Sequence, residues 1–315
     1  VSAEYFLRNK LHNVTQSVLL VAGMAALLAL LGWVIAGPLG IMWALLLGAI
    51  ILFFAPRISP YWLLRLYRAQ PMTPSNASIV VEISDDLARR AGLHETPLLY
   101  YIPSRTLNAF TVGNGDDAAI ALTDGLLRHL TLRELGSVIA HEISHIKHND
   151  VGIMSLADAM SRLTSLLSMV GQMLLVINLP LILISGAAIP WLAVVILVFS
   201  PALSTLLQLA LSRAREFDAD LGAVMLTGDP AGLARALEKL EGVPRYAWGW
   251  LPVPRTRDAQ PSMLRSHPAT HERIRRLHTM EHSRLQQDRF LENGVRVEWP
   301  EIRRRPRRHI TGLWH

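Results

Sequence analysis

Polarity is laid down in blocks along this chain. Four runs hold no Lys, Arg, Asp or Glu: Ser17 to Ala36, Leu39 to Ala55, Ser165 to Ser185 and Ala187 to Ala210. Each is near or above the roughly 17 to 20 residues that cross about 30 Å of hydrocarbon. None shows the polar stripe of a helix half-buried in a soluble core. The pattern predicts four transmembrane helices. Gly37-Pro38 and Gly186 are the uncharged links within two hairpins. Arg8 and Lys10 precede the first hairpin and Arg57, Arg65 and Arg68 follow it; Arg162 precedes the second, and Arg213 and Arg215 follow. The positive-inside rule therefore puts the ends of both hairpins, and every polar segment, in the cytosol. The first run is too long for a cleaved signal core and leads straight into another span, so a signal anchor is expected.

The polar segments change period. Ser84-Asp85-Asp86 reads as the start of a short helix closed by Gly92. Leu98 to Ile102, Leu107 to Val112 and Ala118 to Leu122 read as strands, the last two joined by the turn Gly113 to Asp116, and together they predict a small antiparallel sheet. Pro71 to Pro74 and Tyr246 to Pro261 read as loops. Thr131-Leu-Arg-Glu134 fits a capping box opening a helix. On that helix Leu132, Leu135, Ile139, Ile143 and Ile146 gather on one stripe, the expected core face. His141 and His145 fall opposite.

Composition agrees with this division: 51% of residues are hydrophobic, 18% are charged and the mean hydropathy is +0.29, an excess that the four runs account for. The absence of cysteine excludes disulfides and thiolate ligands, so any metal is held by His and carboxylates. The net charge of +6 and the basic stretch Arg303 to Arg308 suit anionic lipid headgroups or, equally, a disordered basic tail; no nucleic-acid motif accompanies them, and no nucleic-acid partner is expected. Gln172, Asn178 and Gln208 are the only amide side chains in the four runs, and no charge lies there, which argues against an ion or proton pathway.

The chemistry concentrates in His141-Glu-Ile-Ser-His145. One helical turn apart, the two imidazoles can converge on one point, as a tetrahedral zinc at roughly 2.0 to 2.1 Å requires. Glu142, about 100° round the helix, can reach a water on the metal without being a ligand. The third ligand has a source in Glu216 and Asp220, which share a face at i and i+4. That spacing suits one carboxylate on the metal and the other accepting the ring N–H of a metal-bound histidine. His148 lies about 10.5 Å along the axis from His141, too far for one ion. It also stands where the longer H-E-x-x-H-x-x-G-x-x-H motif has glycine, with Val151 in place of its last histidine. Its expected place is the helix C-terminus, where a partial positive charge suits the dipole.

The order hairpin, histidine helix, hairpin, glutamate helix resembles the HtpX-type membrane zinc endopeptidases, gluzincin-like relatives of the CAAX prenyl proteases. So do Leu107-Asn-Ala-Phe110, Leu122-Thr-Asp-Gly-Leu126, His141-Glu-Ile-Ser-His145, Ser212-Arg-Ala-Arg-Glu216 with Ala219-Asp220, and Ser266-His-Pro-Ala-Thr270 before Glu272-Arg-Ile274. The resemblance covers nearly the whole chain. It implies one Zn2+ per chain on His141, His145 and Glu216, Glu142 as catalytic carboxylate and Asp220 behind a ligand. It implies that Asn108, Ala109 and Phe110 line the cleft as the strand that pairs a substrate backbone, and that His267 hydrogen-bonds the tetrahedral intermediate.

The fold expected is a mainly α membrane protein with a small antiparallel β-sheet. Four transmembrane helices in two hairpins would adjoin a cytosolic zincin-like α+β catalytic domain. Residues 1–56 form the first hairpin, 57–163 the first part of the peptidase domain, 164–210 the second hairpin and 211–315 the remainder. The function expected is metalloprotease hydrolysis of membrane proteins, misfolded ones above all, at the cytosolic face of the inner (cytoplasmic) membrane. That is a role in protein quality control and stress response, with self-cleavage a further expectation. The rival is a catalytically inactive zinc-binding membrane scaffold, which would let the zinc residues drift; here both histidines, both glutamates and Asp220 are present.

Overall fold

The computed structural model describes residues 3–54, 64–186, 188–241 and 271–281. The expected loop 246–261, His267 and the basic stretch 303–308 lie outside them.

Among the described residues three helices are long and apolar enough to cross a membrane: Asn13–Ile50 within α1 (Ala3–Phe54), α5 (Asp150–Ser185) and α6 (Trp191–Thr227). The first doubles back on itself. Ala36 and Gly37 leave helical geometry, Gly37 at φ 58°, ψ −146°, a backbone state that glycine adopts without steric cost. Pro38 follows at the start of the returning half, where its missing N–H matters least. The halves then pack with almost no gap: a Cβ on Gly32 would stand 2.9 Å from that of Ala44. Leu28 and Ala44 meet Leu163 of α5 in a small buried cluster.

Helices α5 and α6 are locked together by the consequence of a proline. Pro201 has no N–H for the Leu197 carbonyl one turn earlier. Gln172 Nε2 of α5 donates to that oxygen at 3.1 Å, and Ser168 Oγ donates to it as well. In a medium without water such an orphan acceptor needs a protein partner. At 36 residues, α5 is about 54 Å long, longer than a bilayer core. It and α6 therefore run unbroken through the expected boundaries at 163/164 and 210/211, out of their apolar stretches into the polar part of the chain.

That part contains β1 (Gln70–Pro71), α2 (Pro74–Ala91), β2 (Leu98–Ile102), β3 (Ala109–Val112), β4 (Ala119–Thr123), α3 (Asp124–His129), α4 (Leu132–Lys147), α7 (Pro230–Glu241) and a helix α8 over residues 271–281. The sheet order is β1-β2-β4-β3. The sheet is mixed, which corrects the expectation of an antiparallel one: β3 and β4 are antiparallel, but β2 and β4 are parallel. The segment 103–108 carries the chain past β4, so β3 becomes an edge. Burial explains the order, because all five residues of β4 are buried and its continuous apolar run suits a central strand. One face, with Leu99, Ala109, Ile120 and Leu122, joins the main core against α4; the other packs Phe110, Val112 and Ala121 with Leu64.

Two further expectations are corrected. Helix α2 begins at Pro74, not near Ser84, because Thr73 and Asn76 form a capping box and Pro74 takes the first turn; Gly92 ends it in the left-handed conformation as expected. Leu132 is 49% exposed rather than in the core stripe, since it opens α4's first turn, while Leu135, Ile139, Ile143 and Ile146 are buried.

Candidate metal centre

The centre is built where α4 crosses α6. Thr131 caps α4, accepting from the Glu134 N–H, while the Glu134 carboxylate accepts from Thr131 N at 2.8 Å. The helices touch at Gly222, where an added Cβ would collide with Ser144 Oγ and stand 2.9 Å from Ser144 Cβ. That close approach brings Glu216, six residues and about 1.7 turns earlier on α6, over the HEISH face.

His141 Nε2 and His145 Nε2 lie 3.1 Å apart, with Glu216 Oε2 3.4 Å from the first and Oε1 3.7 Å from the second. Ligand atoms at 2.0 to 2.1 Å from a tetrahedral zinc would stand about 3.3 Å from one another. The three donors match that spacing. Each ring is also fixed from behind: His141 Nδ1 is 3.1 Å from Asp220 Oδ1, and His145 Nδ1 donates to Asp150 Oδ2 at 2.8 Å. These are the carboxylate partners that direct the far nitrogens of metal-binding histidines.

Asp150 reaches its place through a sharp reversal. His148 caps α4, Asn149 takes a left-handed conformation (φ 54°) that asparagine tolerates, and Asp150 opens α5 facing back toward His145.

Charge balance points the same way. Glu142, Asp150, Glu216, Asp218 and Asp220 are buried around the centre with, among the described residues, two buried guanidiniums, Arg215 and Arg273. Counting His141, whose pKa is raised to about 9, the described residues set five carboxylates against three cations, a surplus that a divalent cation would offset. Arg273 sits at the middle of this group, with Nη1 2.7 Å from Glu216 Oε2 and Nη2 2.6 Å from Asp220 Oδ1. Burial alone would pull the His141 pKa down, but hydrogen bonds to Asp220 and Glu216 outweigh it and raise it to about 9.

Glu142 stands beside the donors without joining them. Its Oε2 accepts a hydrogen bond from Thr111 Oγ1 of β3 at 2.8 Å. Glu142 lines a cleft: the pocket next to the centre is walled by Asn108, Ala109, His141, Glu142, Leu237 and Arg273, among others. Asn108 precedes β3, and its buried Nδ2 has no partner among the described residues. Phe110 turns to the opposite face of the sheet, its ring centroid 5.9 Å from that of Tyr67. The cleft wall is held by the Leu122-Thr-Asp-Gly-Leu126 segment. Asn108 N donates to Thr123 Oγ1 at 3.0 Å, and Gly125 leaves room for Thr106 O, which would be 2.6 Å from any Cβ there.

Of the residues singled out from sequence, His141, His145, Glu142, Glu216 and Asp220 come together, and Asn108 and Ala109 border them. His148 stands apart as the cap. The arginine pair divides, Arg213 being exposed and Arg215 buried. Asp150, Thr111 and Arg273 were not singled out. Arg273 does leave a trace: it shares the inward face of α8 with Leu277, an arginine in an apolar register.

A model of peptidase family M48 matches residues 74–281. The chain is 34% identical over 291 residues to a Protease HtpX homolog of Paraburkholderia phytofirmans, covering 85% of this chain and 97% of that relative. It is 35% identical over 292 residues, with the same shares, to a protein of that name from Burkholderia ambifaria. A Ralstonia nicotianae namesake is 34% identical over 283 residues, covering 84% of this chain and 96% of its own.

Proposed function

The chain belongs to peptidase family M48, and on that premise we propose that it is a zinc metalloendopeptidase working on membrane proteins at the cytosolic face of the inner membrane. The observation that carries the reading is the convergence of His141, His145 and Glu216, with donor atoms all within 4.8 Å of one another, beside Glu142 and a sheet edge that no described residue pairs.

In this reading His141, His145 and Glu216 hold one zinc ion, while Asp220 and Asp150 orient the rings. Bound zinc supplies Lewis acidity, lowering the pKa of a water to about 7 and polarising the scissile carbonyl. The Glu142 carboxylate would serve as the base that takes a proton from the attacking water and returns it to the leaving amine; the Thr111 hydroxyl steadies it. Arg273 keeps Glu216 and Asp220 from rotating away. The outer edge of β3 at Ala109 and Phe110 receives the substrate backbone as an added strand, beside Asn108 at the start of that edge. His267 is assigned to the intermediate's oxygen on the family resemblance alone.

The membrane reading is four crossings in two hairpins, 1–56 and 164–210, with 57–163 and 211–315 forming one cytosolic unit. The reversal at Ala36-Gly37 and the unbroken passage of α5 and α6 from apolar stretch to site carboxylates support it. A cleft so close to the bilayer favours substrates that are themselves membrane proteins, misfolded chains and other copies of this chain included.

The test compares the protein with Glu142→Gln, both purified in mild detergent with chelator, on an unfolded substrate before and after zinc. Cleavage by the wild type alone, and only with zinc, is expected. If both bind zinc and neither cuts soluble or membrane-embedded substrates, the chain is a zinc-binding scaffold.

A further inference from the structure

The buried polar chain does not end behind His145. Asp150 accepts from His145 Nδ1 on one oxygen and from Arg215 Nη1, at 3.2 Å, on the other. Arg215 Nη2 in turn pairs with Asp218. The second oxygen of Asp218 accepts from Asn13 Nδ2 at 2.5 Å. Asn13 opens the first apolar span and lies 205 residues away from Asp218 in sequence. Met24, with Leu20 and Val21 beside it, then packs the same helix against Ala157 and Met160 of α5 and Leu207 and Leu211 of α6.

Each member of the chain holds its neighbour in place. Both oxygens of Asp150 and both of Asp218 are partnered, and Arg215 is divided between them. Without the Asn13 amide, one oxygen of a buried carboxylate loses its donor, a state costly enough to force rearrangement. Among the described residues, the cation already bonded to Asp218 is Arg215. Drawn fully to Asp218, it would leave Asp150 half-satisfied and free to release the His145 ring.

We propose that Asn13 is a positioning residue for the metal centre: docking of the first membrane helix completes a hydrogen-bonded chain, through Asp218, Arg215 and Asp150, that fixes the His145 imidazole. The proposal rests on His145 being a metal ligand, as read above. It makes the N-terminal hairpin part of the peptidase machinery rather than an anchor alone, and it lets displacement of that helix lower activity through metal affinity.

The experiment uses the full chain in detergent and reads zinc affinity by competition with a chromogenic chelator. Asn13→Leu keeps the volume and removes the donor. It should weaken zinc binding about 5-fold, less than the 10- to 100-fold typical of groups that touch a ligand, and excess zinc should restore turnover. In an Asp150→Ala background the same change should have no further effect, because the chain is already cut. Gln172→Leu, which loosens α5 against α6 away from the centre, controls for general destabilisation. Wild-type affinity in Asn13→Leu, an equal loss with and without Asp150, or an equal loss in Gln172→Leu at matched melting temperature would each overturn the proposal. Failure of the peptidase reading shows separately, as Glu142→Gln cutting at the wild-type rate.

Discussion

A single methyl group at Gly222 should disable the metal centre without touching any ligand. The Cβ of Gly222→Ala would meet Ser144 Oγ, which can rotate, and Ser144 Cβ at 2.9 Å, which cannot. Reaching the 3.4 Å of ordinary contact requires α4 and α6 to part by about 0.5 Å. Glu216 and Asp220 ride on α6 and both histidines on α4, so the opening is transmitted to the ligand distances, where a zinc site tolerates only about 0.2 Å. Overpacking of this kind costs about 1 to 3 kcal/mol. If that cost falls on the metal-bound geometry, zinc affinity drops about 5- to 100-fold, at about 1.4 kcal/mol per factor of ten. Chelator competition measures it. Ser144→Gly removes both clashing atoms, so Gly222→Ala/Ser144→Gly should regain the affinity although a helical glycine costs about 1 kcal/mol in stability. Wild-type affinity in Gly222→Ala, or no recovery in the double variant, would refute the idea that this contact sets the distance between the histidines and Glu216.

Four other outcomes are expected. Asp220→Ala should lower zinc affinity about 10- to 100-fold by freeing the His141 ring; unchanged affinity would remove Asp220 from the centre. In the metal-free protein the His141 pKa stands at about 9, and zinc needs the neutral ring, so affinity should rise up to about tenfold per pH unit below 9 and level off above it, as competition titrations at several pH values would show. The same shift, upward from 6.5, stabilises the metal-free fold in full below pH 6.5 and is lost as pH passes through about 9, which thermal unfolding would follow. Gln172→Leu should lower the unfolding temperature in detergent by an amount corresponding to about 0.6 to 2 kcal/mol, because the Leu197 carbonyl released by Pro201 loses one of its donors; zinc affinity should not change.

Much of the centre was legible from spacing alone. Two histidines at i and i+4 share a helical face wherever the helix goes, and so do Glu216 and Asp220. Local rules also placed the Thr131 cap, the Gly92 stop and β2. The strand order escaped, because the turn between β3 and β4 fixes only that pair, and nothing local says that β4 will also lie parallel to β2. Asp150 and Thr111 escaped for a related reason. An aspartate opening a helix reads as a dipole partner and a threonine in a strand as an edge residue, until His145 and Glu142 are found opposite them.

The sequence by itself determined the apolar blocks, the helix carrying the histidines and the pairing of carboxylates one turn apart, since these depend on period and length within one stretch of chain. Only the tertiary structure decided which carboxylate faces the imidazoles, that Arg273 and Arg215 are buried among the acids, that Gly222 sets the crossing of α4 on α6, and that Asn13 closes a chain ending at His145. Those features join residues tens to hundreds of positions apart. They are fixed by close packing and by the need of each buried charge for a partner, conditions that exist only once the helices have met.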